Sequence, residues 1–141
     1  MTTISAVEVN KAAARRFYEE AITQGKLEVL DEIIADDGRD TASPAADITG
    51  RQGFVEHITW LRANVEGVTA TVDDLIAEGD RVVVYWTIDG VQRGELFGVP
   101  DSGAGRRFTG VSISTIRFRD GRIVEYAVLP DRFGIVSQLL R

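Results

Sequence analysis

Hydrophobic and polar positions follow two periods along this chain, a helical one in the first half and a period of two in the second. Val9, Ala13, Phe17 and Ala21 recur every four residues, the spacing of one helix face. Ser5 and Glu8 stand at capping-box spacing, and Ile4 and Val9 at hydrophobic-staple spacing. Gly25 is placed to stop this helix. A shorter helix carries Leu27, Leu30, Ile33 and Ile34 on one side. Residues 36–49, rich in Asp, Ala, Ser and Gly, read as a loop or a short irregular strand. A third helix begins at Thr49 or Gly50; Phe54, Ile58, Leu61 and Val65 form its apolar stripe, and Gly67 closes it.

From Val68 the period is two. Residues 68–77, 81–92, 107–119 and 122–129 read as four strands. Glu78-Gly79-Asp80 joins the first pair and Arg119-Asp120-Gly121 the last, so the sheet is expected to be antiparallel. Residues 94–105 form a bulged strand end and a long loop, and residues 132–140 a short amphipathic segment. Helices first and a long sheet second predict one α+β domain, with the helices on one face of the sheet. On the second strand Val82, Val84, Trp86 and Ile88 face one way, and Val83, Tyr85 and Thr87 the other. Both faces are largely apolar, so the face away from the helices calls for a partner, which predicts a homodimer through the sheet.

Composition narrows the chemistry. The 141 residues suit a single domain with a core of its own. There is no cysteine, which excludes disulfides, thiolate metal sites and thiol nucleophiles. With 16 basic and 22 acidic residues the net charge is -6, and no basic footprint for nucleic acid is present. The first ten residues lack a signal-peptide pattern, and no apolar run reaches a membrane span. A cytoplasmic protein with no nucleic-acid or membrane partner is expected.

Four segments then stand out in order: Asp80-Arg81-Val82-Val83-Val84, Gly94-Glu95-Leu96-Phe97-Gly98-Val99-Pro100, Phe108-Thr109-Gly110, and Asp120-Gly121-Arg122-Ile123-Val124-Glu125. The ending Asp131-Arg132-Phe133-Gly134-Ile135-Val136-Ser137-Gln138-Leu139 completes the set. In order and spacing the chain resembles the SnoaL-like polyketide cyclases from its first helix to Leu139. The resemblance implies an NTF2-like cone, a curved sheet wrapped around helices with an internal pocket. It also implies a cofactor-free and metal-free intramolecular aldol closure of a small, largely apolar, polyketide-like molecule. By the family's motif the acid/base carboxylate of the last strand falls on Val128, and the histidine of the strand before it on Ser114; neither transfers a proton at neutral pH. A further family motif sets His between two glycines, where this chain has Gly90-Val91-Gln92-Arg93-Gly94.

The last hairpin decides which residues share a face. A two-residue turn would set Ser114 opposite Ala127. A three-residue loop with Gly121 in αL sets Phe118 opposite Arg122 and Ser114 opposite Tyr126. The second is preferred, because it pairs Ile116 with Val124 on one face and brings Arg117 diagonally to Glu125 on the other. Ser112, Ser114, Tyr126 and Val128 then line one side, which the family pattern turns toward the pocket. Hydroxyls in an apolar cavity need partners, since an unpaired one costs roughly 1–3 kcal/mol, and a carbonyl-bearing ligand would suffice. Asp40, after the second helix, is the carboxylate expected to reach the pocket and act as base. Ser114 and Tyr126 would then hydrogen-bond a developing enolate. Asp131 is either the N-cap of the final helix or a pocket-mouth residue. His57, the single histidine, lies about 80° from the stripe of the third helix, at a boundary; general acid/base work and a satisfied boundary position are both open to it. Tyr18 could point into the pocket, Trp86 belongs to the inner or the dimer face of its strand, and Trp60 and Phe97 are further aromatics to place. Three readings follow: a cofactor-free cyclase or isomerase, a non-catalytic binder or accessory protein, and an epoxide-opening hydrolase. The last needs paired carboxylates, and no convincing pair is found.

Overall fold

A computed structural model describes residues 5–42 and 49–141. Helix α1 (Ala6–Arg16) leads into a wider π-helical stretch, Phe17–Thr23. Ser5 caps α1 by accepting a hydrogen bond from the Glu8 amide at 3.2 Å, while the proposed staple partner Ile4 lies outside the described residues. Ala13, Phe17 and Ala21 of the expected stripe are buried, but Val9 is 40 % exposed, and the neighbours Ala14, Tyr18 and Ile22 face inward as well. The π-helical turn widens this face, and Thr23 anchors it. The Thr23 hydroxyl donates to the Tyr18 carbonyl at 2.8 Å and accepts from the Ala70 amide at 2.9 Å.

After a 3₁₀ turn (Leu27–Val29) and a single helical turn, α2 (Leu30–Ile33), the chain enters β1 (Ile34–Asp40). Of the loop and the short irregular strand open to this segment, the strand forms, beginning two residues earlier, and it pairs with β5 (Arg122–Pro130) in parallel. The sheet is therefore mixed, in the order β1-β5-β4-β3-β2, and not wholly antiparallel. β1 hid from the alternation test because its register shifts between Ile34 and Arg39. Gly38 lies in that interval, where a Cβ would meet the Ile34 side chain at 2.7 Å and the Ile123 carbonyl at 2.9 Å. Its acidic pair is matched by arginines, Asp36 with Arg51 at 2.6 Å and Asp37 with Arg119 at 2.5 Å.

Helix α3 (Arg51–Asn64) starts after Gly50, as expected, but ends at Asn64 and passes directly into β2 (Val65–Glu78). Gly67, with φ at +64°, does not close the helix; it belongs to a bulge between Glu66 and Thr69. Strands β3 (Arg81–Gln92) and β4 (Arg107–Arg119) lie where the pattern puts them, and α4 (Arg132–Leu139) follows β5.

The β4–β5 hairpin departs from the preferred register. Asp120 and Gly121 both have positive φ and form a two-residue turn that pairs Arg119 with Arg122. One residue later Val124 is left over as a bulge, so Ser114 meets Val128, neither Ala127 nor Tyr126, and Ile116 meets Tyr126 rather than Val124. Arg117 and Glu125 pair directly, at 3.5 Å. The bulge restores the inward set by another route: Ser112, Ser114 and Tyr126 are buried on one face.

The helices cover that face and build the core. The other face is open and apolar at its centre, where Ile113 stands between Tyr85 and Leu129. Val111, Leu129 and Phe133 are 60 %, 74 % and 85 % exposed.

Candidate active site

Between the sheet and α3 lies a cavity of about 480 Å³. Its wall is mostly apolar, with Phe17, Ile58, Trp86, Phe108, Val128 and Ile135 among the lining side chains. Polar atoms enter it at few places, the pattern of a small-molecule pocket. Ser112, Tyr126 and His57 border it, and Arg132 sits at its edge, its guanidinium 5.2 Å from the ring centre of Phe97. Phe97 and Gly98 are held in a tight turn closed by the Leu96–Val99 bridge, and Phe97 adopts φ +49°. That conformation is uncommon for a bulky residue, and it belongs to the residue that meets Arg132.

Two polar constellations flank the cavity. In the first, Asp40 ends β1, where its register partner is Tyr126. Its carboxylate is 1 % exposed. One oxygen accepts from the Ala42 amide at 2.9 Å; the other lies 2.7 Å from His57 Nδ1. An ionised carboxylate only accepts, so Nδ1 carries the proton of this bond. In the neutral ring Nε2 then keeps its lone pair. No other partner engages His57 among the described residues, and Trp60 packs beside it at 6.2 Å between ring centres.

The second constellation is a chain of buried hydroxyls. Trp86 Nε1 donates to Ser114 Oγ at 2.8 Å, Ser114 Oγ lies 3.2 Å from the Tyr126 hydroxyl, and Tyr18 Oη lies 3.5 Å beyond. Aromatic packing fixes the rings, with Tyr126 5.0 Å from Phe17 and Tyr18 5.0 Å from Trp86. Burial drives both phenols toward the neutral form. It pushes Tyr126 up to about 12, and Tyr18 well above the ordinary value, with the neighbouring Tyr126 adding to the shift.

A model of the SnoaL-like polyketide cyclases matches residues 12–139. The chain belongs to this family. Nogalonic acid methyl ester cyclase of Streptomyces nogalater is 31 % identical over 121 residues, covering 84 % of this chain and 89 % of that protein. Aklanonic acid methyl ester cyclase DauD of Streptomyces sp. (strain C5) is 30 % identical, covering 85 % of this chain and 75 % of its own length. Among solved structures, TsrD from Streptomyces laurentii superposes with a TM-score of 0.82 at 30 % identity, over 93 % of this chain and 94 % of that one. The fold is the NTF2-like one that the family resemblance implies.

Within this family fold the expected residues divide into three groups. Trp86, Ser112, Tyr126, Val128 and, at the rim, Phe97 border the cavity. Asp40, Ser114 and Tyr18 do not: they lie behind the wall, each at most 1 % exposed. Asp40 was expected to reach the pocket directly; instead His57 stands between it and the cavity. Tyr18 points into the core because the π-helical turn directs it at Tyr126 and Trp86. Asp131 caps α4, accepting from the Gly134 amide at 3.0 Å, and is absent from the cavity wall. Trp60, half-buried, lines the cavity. The link between Asp40 and His57 was missed because it joins a strand that the pattern did not resolve to the flank of a helix. Among the described residues, no three His, Cys, Asp or Glu side chains converge as metal ligands would, and no carboxylate lines the cavity.

The phenols yield a titration test. Tyr126 is neutral in the fold beyond the pH at which an unfolded tyrosine ionises, so its contribution to stability is complete below about pH 10 and is lost as pH rises through about 12; Tyr18 is shifted in the same direction. Tyrosinate absorbance of the folded protein should show Tyr126 keeping its proton until about pH 12, and Tyr18 keeping its own well beyond the ordinary range. Release of both buried phenols near pH 10 in folded protein would refute the buried arrangement.

Proposed function

We propose that this protein is a cofactor-free cyclase of polyketide-like carbonyl compounds in which His57 is the general base and Asp40 its positioning residue. The reading rests on one observation: a buried carboxylate 2.7 Å from Nδ1 of a histidine that borders an apolar cavity. The Asp40 bond holds the Nδ1–H tautomer and stabilises the imidazolium that forms, which leaves Nε2 to take a proton. In an aldol closure, Nε2 removes a proton from the carbon beside one carbonyl. The resulting enolate carbon bonds to a second carbonyl carbon of the same molecule. The new alkoxide then recovers a proton from the imidazolium, so no redox partner is needed and the base is regenerated.

The family resemblance adds a reason to look here. Its histidine and carboxylate positions are Ser114 and Val128, which are direct cross-strand partners. Their lost chemistry is matched by a histidine and a carboxylate paired on α3 and β1, beside the same cavity. Relatives named as cyclases of nogalonic and aklanonic acid methyl esters make a polycyclic keto ester the first substrate to try. The absence of a carboxylate from the described wall disfavours epoxide opening by paired carboxylates.

On such a keto ester, His57→Gln should lower kcat by about 10²- to 10⁴-fold. Asp40→Asn, which keeps the side-chain shape but not the charge, should lower it by at least about tenfold with affinity within a few-fold of wild type. Tight binding with no turnover in the wild type, or turnover indifferent to His57→Gln, would overturn this reading, the former in favour of a non-catalytic binder.

The apolar outer face centred on Ile113 and Leu129 is proposed to pair two copies of the chain through their sheets. Sedimentation should find a dimer, converted to monomer by Ile113→Lys with Leu129→Glu. A wild-type monomer at micromolar concentration would contradict the pairing.

A further inference from the structure

We propose that the buried hydroxyl chain gives the cavity one oriented donor, the Tyr126 O–H, and that the pocket therefore selects a ligand with a carbonyl oxygen at that point. Trp86, Ser114 and Tyr18 act as positioning residues behind it. The inference extends the cyclase reading by naming the group that holds the carbonyl while His57 removes the neighbouring proton.

The argument is a count of protons. Ser114, Tyr126 and Tyr18 carry three hydroxyl protons, and two oxygen–oxygen contacts join them, at 3.2 and 3.5 Å. Each contact uses one proton, so one is left over whichever way the chain runs. Trp86 cannot absorb it, because its indole N–H is a donor only and itself adds a proton to Ser114 Oγ at 2.8 Å. The surplus therefore rests on one of the three hydroxyls, and within the chain only the longer approach between Tyr18 and Ser114 competes for it.

Burial decides which. Ser114 and Tyr18 have no exposed surface and lie behind the wall, whereas Tyr126 borders the cavity. A surplus proton on either of the first two would be a buried donor with no partner within 3.5 Å beyond those already used, which is costly. On Tyr126 it can be donated into the cavity. Accepting from Trp86 also polarises the Ser114 hydroxyl toward donating, which drives the chain in the same sense. Tyr126 thus accepts from two sides and offers its own proton to a third. Because it is held neutral, with a value of about 12, it donates a hydrogen bond without surrendering the proton at neutral pH. An acceptor that gains negative charge, as a carbonyl does on enolisation, gains most from such a donor.

The test reads binding only, so it can fail without touching the role of His57, and the role of His57 can fail without touching it. Naphthalene and 2-acetonaphthone differ by one acetyl carbonyl. In the wild-type protein the carbonyl stretch of bound 2-acetonaphthone should fall below its value in an apolar solvent. In Tyr126→Phe the shift should vanish, and the preference for the ketone over naphthalene should drop about 2- to 10-fold. Naphthalene affinity should stay the same, which controls for folding. Trp86→Phe, which removes the donor that sets the chain's sense, should shrink the shift while Tyr126 remains. A stretch that is the same in wild type and Tyr126→Phe would overturn the proposal. So would an equal loss of both probes' affinity, which would mark Tyr126 as packing alone; should Tyr126→Phe fail to fold, an unchanged stretch in Trp86→Phe would do so.

Discussion

Parallel pairing of β1 with β5 is the constraint on which the site depends. It sets Asp40 beside Tyr126, one residue per strand, at the place where the sheet meets the helices. From that point one carboxylate reaches His57 on α3, and one phenol reaches Ser114 on β4. Thr41 locks the end of the pairing, its amide and hydroxyl both donating to the Tyr126 carbonyl, at 3.0 and 2.9 Å. Gly38 makes the approach possible, because a side chain there would strike the Ile123 carbonyl. The acidic residues of β1 that point outward are paired with arginines from α3 and β4, so a strand rich in Asp holds its place at the sheet edge.

The pocket separates its polar groups by what each can exchange. In the proposed mechanism the carboxylate, kept away from the cavity, acts through the imidazole, and Tyr126, kept neutral by burial, is the donor. Most of the remaining wall is apolar, with Ser112 and Arg132 among the exceptions, and apolar surroundings strengthen both effects. An enolisation asks for this division, since a base must take a proton while a neutral donor steadies the oxygen that becomes negative. The bulge at Val124 belongs to the same arrangement. Without it Tyr126 would face outward and Ser114 would meet Ala127.

Much of the fold was legible in the sequence because it follows simple periods. Strands β3 and β4 alternate cleanly, and α3 carries an apolar stripe from Phe54 through Leu61. The failures share a cause. β1, the start of β2 and the β4–β5 hairpin each contain a register shift, and a bulge breaks the period of two by which strands are recognised. Val9 is the one member of its stripe left partly exposed, near the start of α1, while Ala13, Phe17 and Ala21 are buried. The site was half legible. Ser112, Ser114, Tyr126 and Val128 were found together because they share one sheet face, although by a register that the hairpin does not adopt, and Trp86 was left between two faces. Asp40 and His57 were singled out separately, but their bond joins residues 17 positions apart across two elements, and no spacing rule announces it.

The bond between Asp40 and His57 can be tested without a substrate, because the chain has one histidine. Nitrogen-15 NMR of histidine-labelled protein reports the tautomer directly. The account predicts that neutral His57 carries its proton on Nδ1, with Nε2 unprotonated, and that Asp40→Asn perturbs this preference. A ring protonated on Nε2 in the folded protein would contradict it, since the nitrogen assigned as base would then have no lone pair to offer.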